Sequence, residues 1–157
     1  YLPENDPACH ADRGMTPSNR SMFGLPGTLY VYPIHAKHCL NAVTEPEGQG
    51  SAVLIRAVQP IWGIDLMKAA RGYDDLRRLT RGPGMLCQAL QIDRQHDGIS
   101  LVDSPELMIA DLGDPQPLSI ATTPRVGISK ATDALLRFVI AENRYASGKI
   151  APASAAR

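Results

Sequence analysis

The stretch LYVYPIHAKHCLNAV, residues 29–43, decides how the rest of the chain is read. Leu29 and Val31 fall on one face and Tyr30 and Tyr32 on the other, the period-two pattern of a strand. Pro33 removes an amide donor, which places that strand at an edge or ends it. HCLNAVT reads as a second strand after a short turn near Ala36 and Lys37. SAVLIRAV reads as a third, after the EPEGQG loop. The arrangement expected is an antiparallel meander.

Beyond it the apolar period lengthens. Ile64, Leu66, Met67 and Ala70 suit an amphipathic helix ending near Gly72. DDLRRLT is a second helical piece that stops at the GPG of residues 82–84, and MLCQALQI restarts as a helix. ELMIADL, RVGI and RFVIA are strand candidates. Residues 1–28 are rich in Pro, Gly, Asn and Asp and read as a long ordered loop with one helical turn. Such loops within a compact domain usually carry function. The fold class expected is α+β: a single domain over residues 1–150 with a curved antiparallel sheet and helices packed to one side, and a flexible tail at 151–157.

Sixteen Lys and Arg balance sixteen Asp and Glu over 157 residues, which argues against a generic, charge-driven nucleic-acid binder. A localised basic face remains open. Lys68, Arg71, Arg77, Arg78 and Arg81 cluster against Asp65, Asp74 and Asp75, and on charge alone they read as a solvated helix surface. No apolar run reaches the span of a membrane helix. The polar start YLPENDPACH is unlike a signal peptide. Opening on tyrosine, the chain is expected to lack something upstream. Cys9, Cys39 and Cys87 are odd in number and widely spaced, so reduced thiols are expected, two of them buried, and no disulfide frame.

Two chemistries compete for residues 30–41. His35, His38 and Cys39, with His10, could be metal ligands, but the paired spacing of a structural zinc site is missing. Adjacent strand residues His38 and Cys39 would also point to opposite faces. No metal and no cofactor is expected. Alternatively, tyrosines two apart on one face, with Asn41 on the neighbouring strand, can hold and inspect a planar heterocycle. Base–aromatic stacking contributes about 1–3 kcal/mol per base. The plainer reading is that both tyrosines cover the core.

Further segments bear on that choice. YLPENDPACHADRG, TPSNRSMFGLPGTLYVY, HCLNAVT with SAVLIRAVQP, and GPGMLCQALQID occur in this order. Together they resemble the alkyladenine (3-methyladenine) DNA glycosylase family of base-excision repair, from residue 1 to about 96 and more faintly through PRVGI and LLRFVIAENRYASG. The resemblance implies a monofunctional enzyme without cofactor, a monomer in the bacterial cytoplasm at the nucleoid. Its partner is double-stranded DNA holding a damaged purine, which it flips out and excises with water. It implies that Tyr1 and Tyr32 sandwich the flipped base and that His10 contacts base and sugar-phosphate. It further implies that Asn41 sits against the purine edge and disfavours guanine's amine, and that Arg56 helps position the nucleophilic water. Alkylated purines are cationic, and a cation over tyrosine faces gains about 0.5–2 kcal/mol; damaged bases also unstack more readily.

The chain departs from that family at four places. The family's general-base glutamate lies two residues before the tyrosine matched by Tyr1, so these residues alone are expected to have little activity. Glu4, Asp6 and Asp12 lie near His10 but read as loop solvation and turn capping. The wedge position, usually tyrosine, is His35, in a turn one residue shorter, with His38 able to share the task. Met15, Ser18 and Met85 replace basic residues, leaving Arg13, Arg20 and the Arg77–Arg81 region to contact the DNA backbone. Glu142 stands where relatives tend to have glycine. The alternative functions are a non-catalytic binder of damaged bases or nucleic acid on the same fold, and a small-molecule or metal protein built on HAKHC.

Overall fold

The sheet forms where the alternating pattern begins. In the computed structural model, which describes residues 1–113 and 118–148, β1 (Leu29–Ile34) pairs antiparallel with β2 (Lys37–Val43), and β2 with β3 (Ala52–Leu54). The register sets Tyr30 opposite Asn41 and Tyr32 opposite Cys39. Directly opposite residues share a face, so Asn41 lies on the tyrosine side. β1 is an edge strand, which tolerates Pro33.

Each face of this sheet meets a different cover. Leu29, Val31 and Leu40 pack against Leu86 and Cys87 of the helix α3 (Pro83–Ala89), with Ile92 and Leu101 closing the cluster. On the other face Tyr30, Val43 and Ala52 pack against Cys9, Ala11 and Met22 of the N-terminal segment. Burying each large aliphatic side chain contributes about 1.5–3 kcal/mol. The N-terminal segment therefore acts as a second layer despite having little regular structure beyond a 3₁₀ turn at Arg20–Phe23. Asn19 ties it together: its side chain donates to the carbonyls of His10 (2.9 Å) and Gly14 (3.1 Å) and accepts from the amide of Thr16 (2.6 Å).

The helices start and stop where their chemistry requires. Before α3 comes α1 (Ile64–Arg71), which ends at Gly72 in the left-handed region (φ 64°), its amide bonding to Lys68 O at 2.8 Å. The short α2 (Leu76–Leu79) is capped by the Asp75 carboxylate accepting from Arg77 N. α3 opens on Pro83, whose missing amide costs nothing at a first helical position. The remaining strands, β4 (Ile120–Thr123) and β5 (Arg137–Ile140), form a separate antiparallel pair. The class is α+β, and none of the described helices is long and apolar enough to cross a membrane.

Several boundaries differ from the sequence reading. ELMIADL is not a strand; it starts in a bend, and Ile109 N bonds to Leu101 O without a ladder forming. RVGI is not one either. The strand lies just before it and stops at Pro124, which has no amide to give. The first hairpin turn is His35–Ala36, between the paired Ile34 and Lys37, rather than Ala36–Lys37. The third strand is shorter than SAVLIRAV, because Arg56 leaves the ladder to bond elsewhere. All three cysteines are buried and free, where two were expected to be buried. The tail at 151–157 lies outside the described residues.

Candidate base-binding site

Strand alternation delivers two tyrosines to one place. The rings of Tyr30 and Tyr32 lie 5.6 Å apart between centroids, inclined by 33°. His10 reaches across from the N-terminal segment, its ring 4.4 Å from that of Tyr32 and nearly edge-on at 74°. Its Nδ1 lies 2.8 Å from the Tyr30 hydroxyl. Tyr30 is buried and Tyr32 half-buried. Tyr30 thus anchors the histidine, while Tyr32 presents its ring. Burial pushes the Tyr30 phenol up to about 12, pushes Tyr32 up as well, and pulls His10 below the usual imidazole value. All three are neutral at pH 7. When Tyr30 donates to Nδ1, the histidine carries its own proton on Nε2, free to donate outward.

Tyr1 packs on the same face of the sheet from the chain's beginning. It packs half-buried against the tyrosine-side core, and its phenol adds to the upward shift at Tyr32. Its backbone exchanges both hydrogen bonds with Ala52, at 3.1 and 3.3 Å, so it sits in register on the outer edge of β3. Over its ring, at 5.1 Å from the centroid, stands the guanidinium of Arg125. Asn41 is fully buried opposite Tyr30 and donates to the Tyr30 carbonyl at 3.0 Å. One amide hydrogen is thereby committed to fixing the side chain on the tyrosine face.

Arg56 leaves the end of β3 and bonds to Ser147 Oγ (3.2 Å) and Val126 O (3.1 Å). Arg137, 95% buried, donates to the Ser147 carbonyl and to Thr123 Oγ1 (2.8 Å), and its Nε has no partner. Two guanidiniums therefore converge on one serine. Neither belongs to an ion pair among the described residues. Burial, and then the Arg56 charge, pulls Arg137 below its usual value. Both arginines line a cavity of about 580 Å³ together with Tyr1, Arg125 and apolar side chains of β3 and β5. Of the residues picked from sequence, only Tyr1 and Arg56 border that cavity; Tyr32, His10 and Asn41 do not. Cavity and tyrosine-side core share Tyr1.

The remaining candidates lie at the periphery. His35 occupies the exposed hairpin tip in the left-handed region (φ 51°), which costs a non-glycine residue on the order of 1 kcal/mol or more. His38 is half-buried two strand positions from the tip. Arg13 and Arg20 are exposed on the N-terminal segment. In the basic region, Arg71 and Arg78 serve local structure: Arg71 donates to Leu79 O at 3.2 Å, and Arg78 stacks over Tyr73 at 4.5 Å. Glu142 has φ 58° in the turn after β5, a backbone position that suits glycine, and it is exposed.

Sequence reasoning missed the buried ion pair. Asp6, read as loop solvation, is 3% exposed. It grips Arg125 through two bonds of 2.7 and 2.8 Å. It also accepts from the amides of Leu2 (3.1 Å) and Ala8 (3.2 Å), so turn capping was half of its role. Arg137 was missed as well, although a lone arginine within LLRFVI is a signal, since arginine is rarely buried without a polar reason.

Comparison with known proteins places the chain in a family. The family model described as Methylpurine-DNA glycosylase (MPG) matches residues 1–144. A protein of Rhodopirellula baltica is 54% identical over 156 residues, covering 96% of this chain and 66% of the relative. One of Prosthecochloris aestuarii is 51% identical (94% of this chain, 71% of the relative), and one of Methanoculleus marisnigri 50% (94% and 78%). Each carries the name "Putative 3-methyladenine DNA glycosylase". The chain spans just under two thirds of the first relative's length.

Proposed function

The chain belongs to the methylpurine-DNA glycosylase family, and from that premise we propose that it is built to flip an alkylated or deaminated purine out of double-stranded DNA and to hydrolyse its N-glycosidic bond. The observation that carries this reading is the neutral cluster of Tyr32, His10 and Tyr30 on one sheet face, with Tyr1 beside it.

In this reading Tyr1 and Tyr32 are the walls of a slot for the flipped base. Their rings attract a planar base by stacking and a cationic one further through their π-faces. His10, fixed by Tyr30, offers Nε2–H to the base or sugar-phosphate. Asn41, held by its bond to the Tyr30 carbonyl, reads the purine edge. His35 at the hairpin tip fills the gap in the stack, with His38 beside it, and Arg13 and Arg20 hold phosphates, which would make binding salt-dependent. The protein acts as a monomer, in the cytoplasm at the nucleoid, without a cofactor.

Arg56 orients the attacking water, and a carboxylate must take its proton. The family's glutamate lies two positions before the residue matched by Tyr1. Continuing the Tyr1–Ala52 ladder antiparallel would set that position opposite Leu54, beside the cavity that Arg56 and Arg137 border. Arg137, buried, and Arg56, half-buried, have no carboxylate partner among the described residues, which supports a counter-charge at that place. General-base catalysis is worth about 10²–10⁴ in rate, so the 157 residues by themselves should excise slowly. The test is single-turnover excision of hypoxanthine from a duplex by this chain, by a chain extended through the glutamate-bearing strand, and by its glutamate-to-glutamine variant. A large gain in the extended chain that the glutamine variant abolishes supports the reading. Fast excision by the 157 residues alone refutes the assignment of the base, and tight lesion binding without excision in any form favours a non-catalytic binder.

A further inference from the structure

Over one face of the Tyr1 ring stands a charge that no stacking scheme requires. Arg125 lies over that ring at 5.1 Å, and its side chain and that of Asp6 are 6% and 2% exposed. Among the described residues Arg125 has one carboxylate partner, Asp6, which holds it through both terminal nitrogens. Arg56 and Arg137 border the same cavity, with Glu45 as its one acidic lining residue among the described residues, so cations outnumber anions around Tyr1. A cation on one face of a phenol draws on the ring's π-density and acts through the ring on whatever occupies the other face. A neutral base there is indifferent to the sign of that charge, but an N-alkylated purine is repelled.

We propose that the Asp6–Arg125 pair sets lesion specificity: Asp6 cancels the guanidinium charge behind Tyr1 and thereby allows the slot to take cationic purines as well as neutral ones. The inference rests on the reading of Tyr1 as a wall of the slot. A base stacked roughly 3.5 Å beyond the ring lies roughly 9 Å from the guanidinium. Unopposed, that charge would weaken a cationic base by about two- to twenty-five-fold for effective dielectrics between about 80 and 20.

The experiment compares equilibrium binding of the 157-residue chain to two duplexes at pH 6, one with 7-methylguanine, cationic at that pH, and one with neutral hypoxanthine. The ratio of the two affinities is the readout, since a structural loss weakens both alike. Asp6→Asn is expected to lower the cationic-to-neutral ratio about two- to twenty-five-fold. Arg125→Met alone should raise it, and the double substitution should return it toward the parent value. Should Asp6→Asn fail to fold, the Arg125 variant carries the test through its opposite shift. An unchanged ratio in every folded variant overturns the proposal. If Tyr1→Ala weakens both duplexes while the Asp6 and Arg125 variants leave the ratio fixed, the proposal fails and the slot reading stands. If Tyr1→Ala affects neither duplex, both fall.

Discussion

Replacing Asp6 by asparagine removes one half of a buried ion pair and leaves the other in place. The Arg125 guanidinium, then the amides of Leu2 and Ala8, hold the Asp6 carboxyl down at about 2, against 3.8 for the free side chain. That difference corresponds to roughly 2 kcal/mol of stability. The sign follows from proton binding: the unfolded chain takes up the proton first as pH falls. The contribution is complete above about pH 4 and drains away as the pH drops toward 2. Stranding a buried guanidinium adds to this, and breaking such a pair costs about 3–5 kcal/mol in all. That is a large fraction of the 5–15 kcal/mol typical of a domain. Urea unfolding of parent and Asp6→Asn chains, at pH 7 and at pH 2.5, measures both quantities. The variant should be about 3–5 kcal/mol less stable at pH 7, and the gap should narrow by more than 1 kcal/mol at the lower pH. A gap that stays constant with pH, or one below about 1 kcal/mol at neutrality, refutes the account of Asp6 as an ionised, buried partner.

Three further outcomes are expected. His35→Gly relieves the left-handed backbone at the hairpin tip and should raise stability by about 0.5–1 kcal/mol in thermal unfolding, while the proposed wedge role predicts a lower affinity for a lesion duplex. Gly50→Ala would put a methyl 2.5 Å from Phe23 Cζ and closer still to Ala11 Cβ; such overpacking should cost about 1–3 kcal/mol in urea unfolding. Tyr30→Phe removes the hydroxyl that bonds His10; about 0.5–1.5 kcal/mol of stability should go, and the ¹⁵N shifts of His10 should change from a single tautomer to a mixture.

The meander was legible because its signal is local. Alternation between Leu29 and Tyr32, the proline at 33 and the glycine at 72 that ends α1 each act on their own neighbours, and the sheet and helices follow from them. RVGI and ELMIADL misled for the complementary reason: apolar content alone says nothing about available amides or a free strand to pair with. The aromatic half of the candidate site was readable in the same local way, since Tyr30, Tyr32 and Asn41 need only strand register to meet. Asp6 and Arg125 are 119 positions apart, and Arg56 and Ser147 are 91 apart. No period or spacing links them, and only the closed fold shows that a loop aspartate is the partner of a buried arginine.

The two faces of β1 leave the molecule little latitude along the strand and much at its end. Inserting a residue between Leu29 and Tyr32 would exchange the aliphatic and aromatic faces at a stroke, emptying the core on one side and misplacing the tyrosine–histidine cluster on the other. The hairpin apex at His35 and Ala36 is exposed, and Ala36 belongs to neither core cluster. Changes of length or composition at that apex would therefore leave both packed faces of the sheet untouched.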